Sequence, residues 1–140
     1  MLEKLDFMLR FWDLQARYGA IGSPLSAIEQ VELLSLIRLM STDHPLPEVG
    51  PPPRTELALP VQLTAPGGFL KGELRLVCAG GLVIACEAPL RAGKSTIARL
   101  ADELTGLEYT LPCVVAWSYT GSMSGMALRV DGAPARRYVE

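Results

Sequence analysis

From Ser41 to about Glu56 the chain is interrupted by Pro45, Pro47 and the run Pro51-Pro52-Pro53. Proline has no amide proton to give and a fixed φ, so neither a helix interior nor a central strand runs through such a stretch. It reads as an extended connector with polyproline character, stiffer than a Gly/Ser tether. The residues before and after it carry different hydrophobic periods. The expected organisation is a helical extension over 1–42, a Pro-rich linker over 43–56 and a β-domain over 57–140.

Before the linker the period is helical. The spacing predicts a first helix from about Leu2 to Tyr18, broken at Gly19 and Gly22. Its apolar residues form two stripes, Leu5, Met8 and Trp12 on one and Phe7, Phe11, Leu14 and Tyr18 on the other. A surface helix needs one stripe, so two imply cover on both sides, which a second chain can supply. A second helix opens at Ser26-Ala27-Ile28-Glu29, where serine and glutamate satisfy each other's orphan backbone donors. It continues through Val31, Leu33, Leu34, Leu36, Ile37, Leu39 and Met40, again a wide apolar surface. Two compatible readings stand: a helical hairpin folded on the β-domain, and an oligomerisation or docking module. The candidate interface residues are Leu5, Phe7, Met8, Phe11, Trp12, Leu34 and Ile37.

After the linker the period falls to two. Leu57, Leu59, Val61 and Leu63 alternate up to the turn Ala65-Pro66-Gly67-Gly68, and Leu70, Leu74 and Leu76 alternate against Lys71, Glu73 and Arg75. Gly80-Gly81 separates these from Leu82-Val83-Ile84-Ala85-Cys86, and Thr96 to Leu100 fits strand or helix. Tyr109, Leu111, Val115 and Trp117 are read on one face of a long strand, in which Pro112 implies an edge or a bulge. After Gly121, Met126, Leu128 and Val130 alternate with Ala127 and Arg129. About six short strands between Gly and Pro turns predict a small antiparallel barrel, which removes its exposed edges by closing. The fold class is α+β.

Hydrophobic residues make up 49% and charged residues 20%, enough apolar content for a packed core. A net charge of -2 without a basic block argues against binding nucleic acid through phosphates. No apolar run approaches the ~20 residues of a membrane span, and acids near the start argue against a signal peptide. Cys78, Cys86 and Cys113 include no CxxC pair and leave one thiol over in any pairing, as in a reduced cytoplasmic protein. His44 stands alone, so neither a metal nor another cofactor is expected. No Ser/His/Asp or Cys/His arrangement suggests catalysis, and the chain is read as a non-enzyme.

Two motifs compete over one segment. Ala88-Pro89-Leu90-Arg91-Ala92-Gly93-Lys94-Ser95 fits a relaxed phosphate-binding P-loop pattern. Against it, Pro89 removes a backbone donor, glycine is absent from Ala88 to Ala92, and the chain after Ser95 is too short for the βαβ units of ~30 residues each. The longer pattern is the order Leu-Pro-Val-Gln-Leu (59–63), Ala-Gly-Gly-Leu-Val-Ile (79–84), Ala-Pro-Leu-Arg-Ala-Gly (88–93), Val-Val-Ala-Trp (114–117) and Gly-Met-Ala-Leu-Arg-Val (125–130). Over about 51–130 this resembles the PilZ domain family. The resemblance implies a six-stranded antiparallel barrel usually closed by a C-terminal helix, here shortened because residues 131–140 include Pro134.

The family binds cyclic di-GMP through an RxxxR motif before the barrel and a [DN]xSxxG motif between the second and third strands. Guanidiniums grip phosphates and guanine edges, and the polar side chains add hydrogen bonds. Anchored on Pro60, the second arginine falls on Arg54 and the first on Gly50; Leu76 and Cys78 replace the acid or amide and the serine, and Gly81 is retained. Each lost polar partner costs ~1–3 kcal/mol, which together takes a micromolar ligand out of useful range. What the resemblance then implies is a bacterial signalling or adaptor protein in motility, pilus or surface-polysaccharide control. It would act on an unidentified protein partner and as a homo-oligomer through its helices. The alternatives are a cyclic di-GMP receptor with a non-standard site and a P-loop nucleotide-binding protein.

Overall fold

The computed structural model describes residues 2–18, 25–40, 43, 45–54, 59–102 and 106–138. Two helices, α1 (Leu2–Tyr18) and α2 (Ala27–Met40), precede seven strands: β1 (Leu59–Ala65), β2 (Gly68–Cys78), β3 (Gly81–Ala85), β4 (Ser95–Asp102), β5 (Leu107–Tyr119), β6 (Gly125–Val130) and β7 (Ala135–Tyr138). The expected helix break at Gly19 and Gly22, the lone His44 and the first alternating residue Leu57 lie outside the described residues.

Neighbouring strands are antiparallel in the order β4-β1-β2-β3-β6-β5, and pairing of β4 with β5 closes a six-stranded barrel. The fold is therefore α+β, a helical pair followed by a closed antiparallel barrel. The ambiguous segment at 96–100 is strand: Thr96, Ala98 and Leu100 are buried in alternation with Ile97 and Arg99 while β4 bridges β1 and β5. Where the family resemblance implied a C-terminal helix, β7 instead pairs with Leu107–Thr110 of β5. Pro112 pairs with Ile97 of β4 on one side and sits at a local break in the pairing on the other, an edge position within the strand. Pairing to β7 ends at Thr110↔Ala135 and pairing to β6 begins at Cys113↔Val130, so the missing amide proton falls in the gap between two partner strands.

The core is filled by inward side chains such as Leu63, Leu74, Leu82, Ile84, Leu111, Met126 and Leu128, all fully buried. A bulge between Val115 and Trp117 shifts the β5 register. Val115 stays inside, opposite Leu128, whereas Trp117 pairs with Ala127 and turns to the outer face, not the shared inner face its spacing predicted.

α1 closes one end of the barrel. The Trp12 indole N–H donates to the Ala79 carbonyl at 3.4 Å, and Tyr109 of β5 donates its hydroxyl proton to Asp6 at 2.5 Å. Asp43 adds a staple, accepting the Ala79 amide at 2.7 Å through one oxygen and Lys4 at 3.1 Å through the other. α2 covers the second side of α1, with Leu33 and Leu36 buried and Met40 packed on the core. The capping box forms as expected: the Glu29 amide donates to Ser26 Oγ at 3.2 Å and the Ser26 amide to Glu29 Oε1 at 3.1 Å. Two forked ion pairs clamp the helices, Arg10 on Glu32 at 2.7 and 2.9 Å and Arg17 on Glu29 at 2.5 and 3.0 Å.

Two outcomes follow from this packing. Trp12→Ala should lower stability by ~3–5 kcal/mol, the range for emptying a buried aromatic site, as read by chemical denaturation. The Arg17 guanidinium, with the Ser26 amide, holds the Glu29 carboxyl at about 2 instead of 4.5. Because the folded value is depressed, the stabilisation is complete above about pH 4.5 and is lost as pH falls towards 2. Acid titration of helicity should show this loss in the wild type and a flatter profile in Glu29→Gln.

Candidate functional site

The positions that the family resemblance implied for a ligand are Gly50 and Arg54 in the Pro-rich segment, Leu76 and Cys78 on β2 and Gly81 on β3. The Pro-rich segment lies across the outer face of β2, β3, β6 and β5. Pro47 O accepts the Trp117 indole N–H at 2.8 Å, and Pro53 O accepts Arg75 Nη1 at 3.2 Å. Pro52 is buried against Gly125, in space that a side chain there would occupy, and Leu46 fits against Gly80 in the same way. Under this strap Val83 and Ala127, paired across β3 and β6, are fully buried although they alternate with the inward Leu82, Ile84 and Leu128. The segment expected to be a plain connector thus covers part of the sheet.

Arg54, the retained arginine, is exposed at the end of the described strap, and Gly50 leaves the first arginine position without a side chain. Gly81 has φ +143°, and a Cβ on it would collide with the Leu128 carbonyl. Its glycine is required by the close approach of β3 to β6 whether or not a ligand binds. Cys78 is buried, and its thiol donates to Gly81 O at 3.6 Å, so the position of the family serine serves the turn. Burial pushes the Cys78 thiol up, Cys86 up to about 11 and Cys113 up to about 12, which suppresses the thiolate needed for nucleophilic work.

Arg75 and Trp117 hold the strap, and neither was singled out from the sequence. Alternation along β2 marks Arg75 as polar surface, but β2 bulges at Arg75 as β5 bulges before Trp117, and neither bulge leaves a sequence signal. Beside the strap runs an open groove of about 880 Å³, with Phe69, Lys71, Glu73 and Arg75 on one side and Glu87 and Met123 on the other. Its charges are mixed. Arg75 bonds Glu73 at 3.1 Å as well as the strap, so its guanidinium is largely engaged within the chain.

The segment that fits the P-loop pattern is a turn leading into β4. The Gly93 amide donates to Val115 O at 2.7 Å and the Lys94 amide to Arg91 O at 3.2 Å, and Ser95 begins a strand, not a helix. The Gly93 amide thus joins the loop to β5 and the Lys94 amide closes the turn on Arg91, so these two donors are engaged within the chain.

The candidate interface residues divide sharply. Leu5, Met8, Phe11 and Trp12 are buried within the chain, and Phe7 is partly buried against the same core. Their cover is supplied within the chain, with α2 lying on the second side of α1, while Tyr18 of the second stripe is exposed. Leu34 and Ile37 are exposed, together with Ile28, Val31 and Leu39, which were not singled out as interface residues. Among the described residues no helix is long and apolar enough to cross a membrane. Searches against protein-family models and curated proteins find no match to the chain.

Gly81→Ala should destabilise the barrel by ~2–4 kcal/mol, from backbone strain and the clash with β6, in thermal or denaturant unfolding without any nucleotide present. A Gly81→Ala protein as stable as wild type would mean that this glycine is not needed for packing.

Proposed function

We propose that this chain is a PilZ-like, non-enzymatic signalling or adaptor protein of the bacterial cytoplasm. It works through protein–protein contacts in motility, pilus or surface-polysaccharide control, with no useful affinity for cyclic di-GMP. The observation that carries the reading is the outer face of α2. Ile28, Val31, Leu34, Ile37 and Leu39 are 81%, 64%, 62%, 48% and 58% exposed, on a helix whose other side is already buried. A helix apolar all round is one that is covered all round. These residues amount to about three fully exposed aliphatic side chains, so their cover supplies ~5–9 kcal/mol before the costs of association.

The ligand face supports the other half of the proposal. Strap and sheet use each other's polar groups, the charges of the neighbouring groove are mixed, and three of the five ligand-grip positions carry Gly50, Leu76 and Cys78. The P-loop reading is dropped for the reason given above. A receptor with a non-standard site built on Arg54 and the strap is the remaining alternative, favoured by Arg75 Nε, which is buried without a hydrogen-bond partner among the described residues.

Isothermal titration with cyclic di-GMP separates the two. The expected result is no saturable heat at micromolar ligand. Saturable heat that disappears in Arg54→Ala or Arg75→Ala would replace the adaptor reading with the receptor.

A further inference from the structure

We propose that the outer face of α2 is a homodimer interface, in which two copies of the helix pair antiparallel about a two-fold axis. The inference rests on the protein-contact reading above and names the partner of that surface as a second copy of this chain.

The argument is one of spacing. Ala27, Val31, Leu34 and Arg38 follow one another at intervals of four, three and four residues, so they lie along one line of the helix. All four are exposed, whereas Leu33 and Leu36 on the other side are buried. A two-fold axis passing between Val31 and Leu34 makes this line complementary to itself. Val31 then faces Leu34 of the second copy, and Leu34 faces its Val31. The long Arg38 stem lies over the small Ala27, while Ile28 and Ile37 border the line on opposite flanks. Large side chains meet small ones, and each contact occurs twice, as an isologous pair requires. Parallel pairing would instead set Arg38 against Arg38 and Ala27 against Ala27, joining like charges at one end and leaving a gap at the other.

Charge argues against a lipid surface as the occupant. Helices that lie in the membrane interface carry a Lys/Arg-rich border. The charged residues of α2 are Glu29, Glu32 and Arg38. Both glutamates already answer arginines of α1. A second copy needs no such border.

Each copy removes from water the equivalent of about three exposed aliphatic side chains, towards the lower end of what a specific interface buries. The dimer should accordingly dissociate in the micromolar range, with a concentration-dependent mass.

Light scattering on the full chain across that range, with circular dichroism to confirm folding, tests the proposal. The wild type should rise from one to two chains with concentration. Val31→Lys and Leu34→Glu, both at exposed positions, should each stay monomeric with unchanged helicity. Equimolar mixing of the two variants should restore a dimer, because antiparallel pairing sets the new lysine of one copy against the new glutamate of the other. A wild type that stays monomeric throughout overturns the proposal, as does a dimer unaffected by either substitution. A mixture that remains monomeric overturns the antiparallel register. Binding of monomeric wild type to phosphatidylglycerol vesicles, lost in Leu34→Glu, would give the face to a membrane instead. Failure of the adaptor reading itself is seen separately, as micromolar binding of cyclic di-GMP, since both substitutions lie away from the barrel.

Discussion

The seating of α1 across one end of the barrel is the contact on which the rest of the structure depends. A six-stranded barrel this small leaves the side chains at its mouth open to water unless something covers them. Leu5, Met8 and Trp12 supply that cover, and the polar ties from Trp12, Asp6 and Asp43 aim the helix at the β2–β3 turn and β5. Covering the mouth moves the problem outward. The other stripe of α1 is also apolar, so α2 must lie on it, held by the Arg10–Glu32 and Arg17–Glu29 forks. The outer side of α2 then inherits the uncovered apolar surface. Burial is passed from barrel to α1 to α2, and within the described chain it ends there.

A second covering device acts on the side of the barrel. The Pro-rich strap lies over Val83 and Ala127 and is fastened by Trp117 and Arg75. Proline suits this role because its carbonyls accept hydrogen bonds while its ring packs flat. Glycine suits the sheet beneath because Gly80 and Gly125 let the strap approach without side chains in the way. Outer sheet surface that a bare barrel would offer is thus largely occupied by the chain itself. Gly81, which looks like the remnant of a ligand motif, is explained by its contact with the Leu128 carbonyl.

Much of the fold was legible from local pattern. The α1 span, the capping box at Ser26 and the alternation in β1, β6 and β2 as far as Leu74 depend on residues close in sequence, where helical and strand periods are printed directly. Beyond Leu74 a bulge puts Val77, not Leu76, on the inner face. The candidate site was legible only in part. Sequence spacing located Arg54 and Gly81 but not the use to which Gly81 is put, and it did not single out Arg75 or Trp117. One inserted residue at Val115/Trp117 reverses the face of everything beyond it in β5, and nothing in the residue types there announces it.

By itself the sequence determined that helices come first, that the proline run stops them, and that an alternating apolar pattern follows which must close on itself. These are consequences of backbone geometry and periodicity, and they act over a few residues. Only the tertiary structure decided which apolar faces satisfy one another: that the stripes of α1 are covered inside the chain except at the exposed Tyr18, that β4 is a strand because β1 and β5 both offer it an edge, and that the strap docks instead of spanning free. Hydrophobicity is non-directional, so a pattern can say that a face must be buried but not against what. That choice belongs to packing, and here it leaves the outer side of α2 as the apolar face still exposed.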